Sequence, residues 1–393
     1  MHTMRSRFPN VPDRATRWTT AIVILAATLA ACDNSADPAA PSSKATDVIA
    51  VQADAKKAAN VGPPTVYATG LNNPRGIRFG PDGYLYVAEG GVGGANSTVG
   101  QCPQVPAVGP YLGSDNGSRI SRIPPGGGAP ITVVGNLPSS QTQPIPTPLV
   151  SGVADVEFID GTLYGLLTGA GCSHGVPTIP NQVFRVNADG SWTTIANLSV
   201  YYQTNPTART NPGDFEPDGT PYSMVAVRGA LYVVEPNHGS LDRVSLNGSI
   251  TRVADISATQ GHIVPTTVSY RGNFFVGNLN PFPVVPGSSK ILKINPGGQV
   301  HEWVTGLTAV LGNVWDNRGR LYVLETTTVA GNPTPPTGRV LRIDPSGTVT
   351  TIADNLFFPT AITLGPDGNL YVSNFGFGPP PIGLGTILKI TIN

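Results

Sequence analysis

The chain has 393 residues, of which only 12% are charged, and it carries 47 glycines and 39 prolines. This composition favours many tight turns between short strands and disfavours long helices. The formal net charge is zero, which excludes the basic surface that nucleic-acid binding needs, so we expect no nucleic-acid partner.

The first segment is typical of an export signal. Four arginines precede an apolar run from Ala21 to Ala31, which gives the charged region and short apolar region of a secretory signal. The run is too short to predict a membrane span. It ends in Leu29-Ala30-Ala31-Cys32, which resembles the bacterial lipobox, where the cysteine is lipidated after cleavage. We therefore expect residues 1–31 to be removed; the alternative is an ordinary signal peptide with a chance cysteine.

The expected mature protein lies outside the cytoplasm. It is either a lipoprotein on the periplasmic or cell-surface side of a bacterial membrane, held only by acyl chains on Cys32, or a secreted protein. Residues 32–62 contain few large apolar residues and no aromatic ones, so we predict a flexible tether there. The other two cysteines, Cys102 and Cys172, predict one disulfide in an oxidising compartment. Two unpaired thiols are the alternative.

One hairpin recurs along the rest of the chain. Its copies read "GIRFGPDGYLYVAE", "VEFIDGTLYGLL", "MVAVRGALYVVE", "TVSYRGNFFVGN", "NVWDNRGRLYVLE" and "AITLGPDGNLYVSN". A second hairpin follows five of them, as in "NQVFRVNADGSWTTIANL". Strands rich in Val, Ile and Tyr, with Asp-Gly, Asn-Gly or Gly-Gly turns, predict four-stranded antiparallel units.

The terminal strands predict how these units close. The last unit ends in "GTILKITIN" without a partner strand, and "PPTVYATGL", at residues 63–71, is an extra strand before the first unit. Pairing the two completes the sixth unit and closes the circle. We therefore predict a single all-β domain over residues 63–393, a six-bladed β-propeller, and expect a monomer.

The loops differ between the two faces of this propeller. Turns between the first and second strands are short, whereas the opposite face carries the insertions at 90–117, 138–150, 169–180, 199–221, 279–288, 326–337 and 375–383. Because binding residues concentrate on elaborated loops, we expect the loop-rich face to bind a small molecule, a glycan or a protein.

A polar residue ends the second strand in five of the six units: Glu89, Glu235, Asn278, Glu325 and Asn374. Such oxygen donors near one axis suit a hard divalent cation such as Ca²⁺, so these residues are metal-ligand candidates. The alternative is that they hydrogen-bond neighbouring loop amides. The second unit has Leu167 at this position, where Asp155 could supply a carboxylate instead.

Three further residues are candidates for chemistry or binding. His238 and Asp155 are the candidates for proton transfer. Arg75 begins an inner strand and could bind an anion, or form an ion pair with Glu89. Loop aromatic residues could line an apolar rim or fold the loops onto themselves; these are Tyr111, Tyr201, Tyr202, Phe282 and Phe375.

The sequence also resembles the ScyD/ScyE family of secreted proteins. The resemblance rests on "GLNNPRGIRFGPDGYLYVAEGG", "GDFEPDGTPYSMVAV", "VPTTVSYRGNFFVGNLNPFPVVPGSSKILKINPGG" and "LYVLE", in this order, and covers residues 66–393. It implies a secreted six-bladed propeller but no established reaction. It also marks Tyr222, Thr266 and Phe282 as ligand-rim candidates, because the resemblance is closest around them.

A looser similarity links the chain to gluconolactonase and NHL-type propellers. Those enzymes hold a divalent metal at the channel mouth for lactone hydrolysis, and Glu89, Asn278 and Glu325 match by residue type. Two functions therefore follow as predictions. The first is a binding module that acts through the loop-rich face, and the second is a metal-dependent hydrolase of lactone or ester type.

Overall fold

The computed structural model describes residues 48–52, 55–58, 61–106, 108–142, 149–376 and 383–392. The predicted signal segment, Cys32 and the first part of the predicted tether lie outside these residues.

The described chain is built almost entirely of strands. In chain order these are β1 (Ile49–Ala50), β2 (Thr65–Leu71), β3 (Pro74–Phe79), β4 (Leu85–Glu89), β5 (Leu112–Ile123), β6 (Ile131–Gln141), β7 (Val150–Ser151), β8 (Val153–Ile159), β9 (Thr162–Leu167), β10 (Gln182–Val186), β11 (Trp192–Asn197), β12 (Ser223–Val227) and β13 (Ala230–Glu235). They continue as β14 (Ser240–Ser245), β15 (Ile250–Asp255), β16 (Pro265–Tyr270), β17 (Phe274–Asn278), β18 (Ser289–Ile294), β19 (Val300–Leu307), β20 (Val310–Trp315), β21 (Leu321–Glu325), β22 (Gly338–Ile343), β23 (Val349–Leu356), β24 (Ala361–Leu364), β25 (Leu370–Asn374) and β26 (Gly385–Ile390). Among the described residues, two short α-helices interrupt them, α1 (Leu198–Thr204) and α2 (Ile256–Gln260), and two 3-10 turns lie at Cys172–His174 and Pro212–Asp214.

These strands form six antiparallel blades, which confirms the predicted fold. The inner strands of blades one to six are β3, β8, β12, β16, β20 and β24, and each is hydrogen-bonded on one side only. In the sixth blade β2 pairs with β26, with Val66 opposite Leu388 and Thr69 opposite Thr386. The predicted closure by the two ends of the domain is therefore confirmed.

Packing between blades explains why the "LYV" strand recurs. All five residues of β4, β17, β21 and β25 are buried. Both faces of a second strand meet a neighbouring blade, so the usual alternation of apolar and polar residues disappears. The core accordingly divides into six clusters of apolar side chains, one for each pair of adjacent blades.

Part of the predicted tether belongs to the propeller. β1 pairs in parallel with β19 at the outer edge of blade four, and Lys57 forms a parallel bridge with Thr351 in blade five. Val51 is buried in the cluster between these two blades. The prediction of a flexible tether is thus wrong for the described residues among 48–58, because Ile49 and Val51 cover open sheet edges.

The loop-rich face is more ordered than a set of simple insertions. β5 and β6 are 12 and 11 residues long, longer than any strand of the other blades, and β6 also pairs with β7. The predicted disulfide is confirmed: Cys102 and Cys172 are bonded, with their Cα atoms 6.2 Å apart, and join the insertions of blades one and two. Among the described residues, no helix is long and apolar enough to span a membrane.

Candidate functional site

The six inner strands surround a cavity of about 220 Å³ on the propeller axis. Each blade contributes one residue from the same position of its inner strand, directly before the residue that pairs with the central Val or Gly of the second strand. All six line the cavity: Gly76, Asp155, Ser223, Thr267, Gly312 and Ala361. The cavity therefore joins all six blades, and the residue types at this position differ around the axis.

Asp155 is the ionisable member of this ring. Its Oδ1 accepts a hydrogen bond from the amide of Val156 and its Oδ2 accepts one from Met224 in blade three, both at 2.8 Å. A Cβ atom on Gly76 would lie 1.9 Å from Oδ1, so the carboxylate occupies space that only glycine leaves free. Burial raises the pKa of Asp155 to about 7, although Arg78 and the two amides oppose the shift.

An ion pair lies next to Asp155. Arg78 Nε is 2.5 Å from Glu157 Oε2, and Glu157 Oε1 accepts from the amide of Ala226 at 3.0 Å. Glu157 thus joins blades one, two and three and neutralises Arg78. The sequence pattern does not indicate Arg78 or Glu157 as site residues, because a charged residue within a strand is usually on the protein surface.

Arg75 lies nearer the loop-rich face. Its guanidinium donates to the carbonyl of Val150 at 2.5 Å and to the Tyr222 hydroxyl at 3.4 Å, and it lies 5.9 Å from the Tyr222 ring centroid. Burial raises the pKa of Tyr222. Arg75 does not form the alternative ion pair with Glu89, because Glu89 pairs with Arg119 at 2.7 Å. Among the described residues, Arg75 has no carboxylate partner within 4.0 Å, although only 8% of it is exposed.

The polar residues at the ends of the second strands act within their own blades. Each side chain binds backbone close to where the inner strand begins. In four blades an oxygen accepts from an amide there: Glu89 from Asn72, Glu235 from Thr220, Glu325 from Thr308 and Asn374 from Phe357. In the fourth blade the Asn278 side-chain amide donates to the Ile263 carbonyl. All five are at most 4% exposed. The hydrogen-bonding alternative thus accounts for the repeated polar residue, and the described residues contain no group of three or more His, Cys, Asp or Glu side chains placed to hold a metal ion.

The other predicted site residues are dispersed. His238 is 1% exposed, packs against Tyr202 and Phe215, and lies 3.1 Å from the Glu216 carbonyl through Nε2. Thr266 donates to the Val310 carbonyl at 2.6 Å, which joins blades four and five. Phe282 is 40% exposed in the insertion after β17. Of the predicted rim, Arg75 and Tyr222 are in contact.

A buried polar network holds the loops together beside the disulfide. His174 Nε2 is 3.0 Å from Glu216 Oε2, and the Ser173 hydroxyl donates to Asp218 at 2.6 Å. Burial raises the pKa of Glu216, and Tyr111 packs on the His174 ring at 4.6 Å. Since Ser173 and His174 are at most 1% exposed, this network stabilises the loop layer.

Exposure rises toward the short-turn face along two of the six inner strands. In β16 the first four residues are buried and the last two, Ser269 and Tyr270, are partly exposed. β20 has the same gradient, ending in Val314 and Trp315. Because inner strands run from the loop-rich face toward the short turns, these two walls are more open on the short-turn face.

Comparisons with known proteins support the fold only. No protein-family model matches the chain, and no curated protein matches it in sequence. A protein of unknown function from Bacteroides thetaiotaomicron is 12% identical with a TM-score of 0.51, over 86% of this chain and 73% of that one. A putative oxidoreductase (glucose dehydrogenase) from Thermus thermophilus is 16% identical with a TM-score of 0.51, over 84% and 100%. A putative gluconolactonase is 11% identical with a TM-score of 0.49, over 88% and 98%. Similarity at this level shows the propeller fold alone.

Proposed function

We propose that this protein is an exported, lipid-anchored propeller that binds a small molecule in its central channel. The observation that carries the proposal is the axial cavity with a buried ionisable group, Asp155, in its wall. Concave sites with a few convergent polar groups are the usual form of small-molecule sites. The ScyD/ScyE resemblance implies a secreted propeller of this kind.

The size and charge of the cavity favour a small ligand. Its volume of about 220 Å³ lies below the roughly 300–1,000 Å³ of sites for drug-sized molecules. Arg78 and Glu157 neutralise each other, which leaves Asp155 as the charged group of the cavity lining that can respond to a ligand. The greater exposure of β16 and β20 near their ends supports access from the short-turn face. This favours the channel over the loop-rich face as the binding site.

Export is supported by the disulfide between Cys102 and Cys172, because disulfides persist in oxidising compartments. Lipidation at Cys32 is part of the proposal and lies outside the described residues. Labelling cells with an alkyne fatty acid tests it: wild-type protein should take up the label and Cys32→Ser should not. Labelling of the serine variant would refute the anchor.

The binding proposal is tested by a thermal-shift screen of small acids, sugars, amines and esters against the full-length protein. Compounds that raise the melting temperature bind the folded state. We expect Ala361→Leu, which fills the channel, to abolish these shifts, and Ala258→Leu on the exposed side of α2 to preserve them. Shifts that survive Ala361→Leu, or no shift with any compound, would refute a channel site.

A hydrolase is the second candidate, favoured by the raised pKa of Asp155, since an acid–base catalyst works best with a pKa near the working pH. The predicted metal ligands do not fit a divalent ion well, because their oxygens already accept from backbone amides or pair with arginine. We therefore propose no metal-dependent step. An ester and lactone assay, run with and without EDTA and with Asp155→Asn, tests this candidate. Turnover that stops with EDTA would restore the metal site.

A further inference from the structure

The backbone of the inner strands presents a ring of amides to the axis. In an antiparallel hairpin, residues of non-hydrogen-bonded pairs direct their N–H groups away from the partner strand. The bond from Gly80 to the Tyr84 carbonyl and the bond from Gly365 to the Asn369 carbonyl set this alternation in blades one and six. Hydrogen-bonded and non-hydrogen-bonded pairs alternate along each hairpin from these two bonds. Ile77, opposite Val87, and Ile362, opposite Val372, are therefore in non-hydrogen-bonded pairs. Their N–H groups therefore point away from the second strand, on the edge of the inner strand that has no partner strand.

In the other four blades, the backbone amide at the position of Ile77 and Ile362 donates to a side chain. In three of these blades the accepting side chain belongs to the preceding blade. Asp155 accepts from Met224, Ser223 accepts from Val268 at 3.1 Å, and Thr267 accepts from Asn313 at 3.1 Å. In blade two the amide of Val156 binds the second oxygen of Asp155. One position in the inner strand thus supplies the acceptors for these four amides.

The sequence interrupts this ring at two adjacent blades. The residues that would supply acceptors to Ile362 and Ile77 are Gly312 and Ala361, which carry no polar side chain. No described side chain accepts a hydrogen bond from these two amides, in contrast to the amides of the other four blades. A Cβ atom on Gly312 would lie 3.2 Å from the Ile362 nitrogen, so the glycine sits directly against that amide. All four residues line the cavity.

We propose that the channel binds a small carboxylate, whose two oxygens accept hydrogen bonds from the amides of Ile77 and Ile362. This inference rests on the proposed function and names its ligand class. The ligand would complete the ring of acceptors that Asp155, Ser223 and Thr267 supply in the other blades.

The chemistry of the two amides favours a carboxylate over a hydroxyl or an amine. Both are donors only, and an ionised carboxylate is the common group that only accepts. Hydrogen bonds to a charged acceptor are stronger than those between neutral groups. Arg75 is a buried cation without a carboxylate partner among the described residues, and it adds a favourable potential at the loop-rich end of the channel.

The test is ligand-observed NMR on the full-length protein at pH 6, with short monocarboxylates and their primary amides as matched neutral probes. We expect the carboxylates to bind and the amides to bind at least tenfold more weakly. Ala361→Ser supplies the hydroxyl that Ser223 supplies in blade three, so it should satisfy the Ile77 amide internally and weaken carboxylate binding about tenfold. Ala258→Ser, on the exposed side of α2, is the matched control and should bind as the wild type does.

The outcomes separate this inference from the proposed function. Binding of neutral or cationic compounds that Ala361→Leu abolishes, without carboxylate binding, would overturn the carboxylate and leave the channel site standing. Carboxylate binding that Ala361→Ser does not change would also overturn the inference, because the amides would then not be the contact. No binding by any class would overturn both.

Discussion

The carboxylate of Asp155 in blade two accepts a hydrogen bond from the backbone amide of Met224 in blade three at 2.8 Å. The same carboxylate also accepts from Val156 and faces the axial cavity. One buried group therefore joins two blades and is available to a ligand. Its protonation therefore affects the stability of the folded protein and, under the proposed function, ligand binding.

The raised pKa of Asp155 predicts that the protein is more stable in weak acid. Burial raises this pKa from 3.8 to about 7 in the folded state, so the folded protein binds the proton more tightly than the unfolded chain. The stabilisation is complete below about pH 4 and is lost as the pH rises through 7. Burial also raises the pKa of Asp242, to about 6, with the same sign. We expect the melting temperature to fall by several degrees from pH 5.5 to pH 8.

Asp155→Asn should reduce this pH dependence, since the amide does not titrate. Asp189→Asn is the matched control, because hydrogen bonds from Ser191 lower the pKa of Asp189 and remove it from this pH range. Thermal melts followed by circular dichroism across the range measure both slopes. Equal slopes for Asp155→Asn and the wild type would show that Asp155 is not the titrating group.

Glu235 predicts a large loss of stability on truncation. It is fully buried and accepts from the amides of Thr220, Asn237 and His238 at 2.7, 3.1 and 2.5 Å. Glu235→Ala leaves these donors unsatisfied, which costs about 3–5 kcal/mol of unfolding free energy. Glu302→Ala, which removes an exposed ion pair with Lys290, should cost less than about 1 kcal/mol.

Urea denaturation measures both variants, and repeating it with EDTA separates two explanations of the Glu235 position. A backbone-binding role leaves the wild-type midpoint unchanged by EDTA. A midpoint that falls with EDTA in the wild type, but not in Glu235→Ala, would establish a metal site there.

The fold was predictable because the apolar second strand, which packs between two neighbouring blades, repeats in the sequence. The second strands from Leu85 and Leu321 are apolar up to their closing glutamate, since each is covered on both faces, and the extra strand at Thr65 had an obvious partner. The role of Glu235 was less predictable, because position in a strand does not reveal whether a carboxylate faces the axis or the backbone of its own blade.

The channel site was predictable only in part. Asp155 was identified as a carboxylate near the start of an inner strand. The contact between Arg75 and Tyr222 joins blades one and three, and nothing in the local sequence of either residue indicates it. The positions of Gly312 and Ala361 were readable in principle, because aligning the six inner strands sets them against Asp155, Ser223 and Thr267.

The disulfide predicts a stability that depends on redox conditions. Cys102 and Cys172 are separated by 70 residues, and closing a loop of this length removes unfolded-state entropy worth about 4 kcal/mol. Cys102→Ser with Cys172→Ser should lower the unfolding free energy by up to this amount. Dithiothreitol should destabilise the wild type and leave the double variant unchanged. A double variant as stable as the wild type would show that the loop network around His174 suffices.

The segment at Val51 predicts that the chain before the first blade stabilises blades four and five. Val51 donates to the Thr305 carbonyl at 2.9 Å and is buried against the cluster that contains Val304 and Leu307. Val51→Asp places an unpaired charge in this cluster, so we expect a loss of more than about 2 kcal/mol. Gln52→Asp, at the exposed neighbouring position, should change little. Hydrogen exchange should show faster exchange in β19 for Val51→Asp alone. Equal exchange in both variants would mean that the segment does not hold the blade edge.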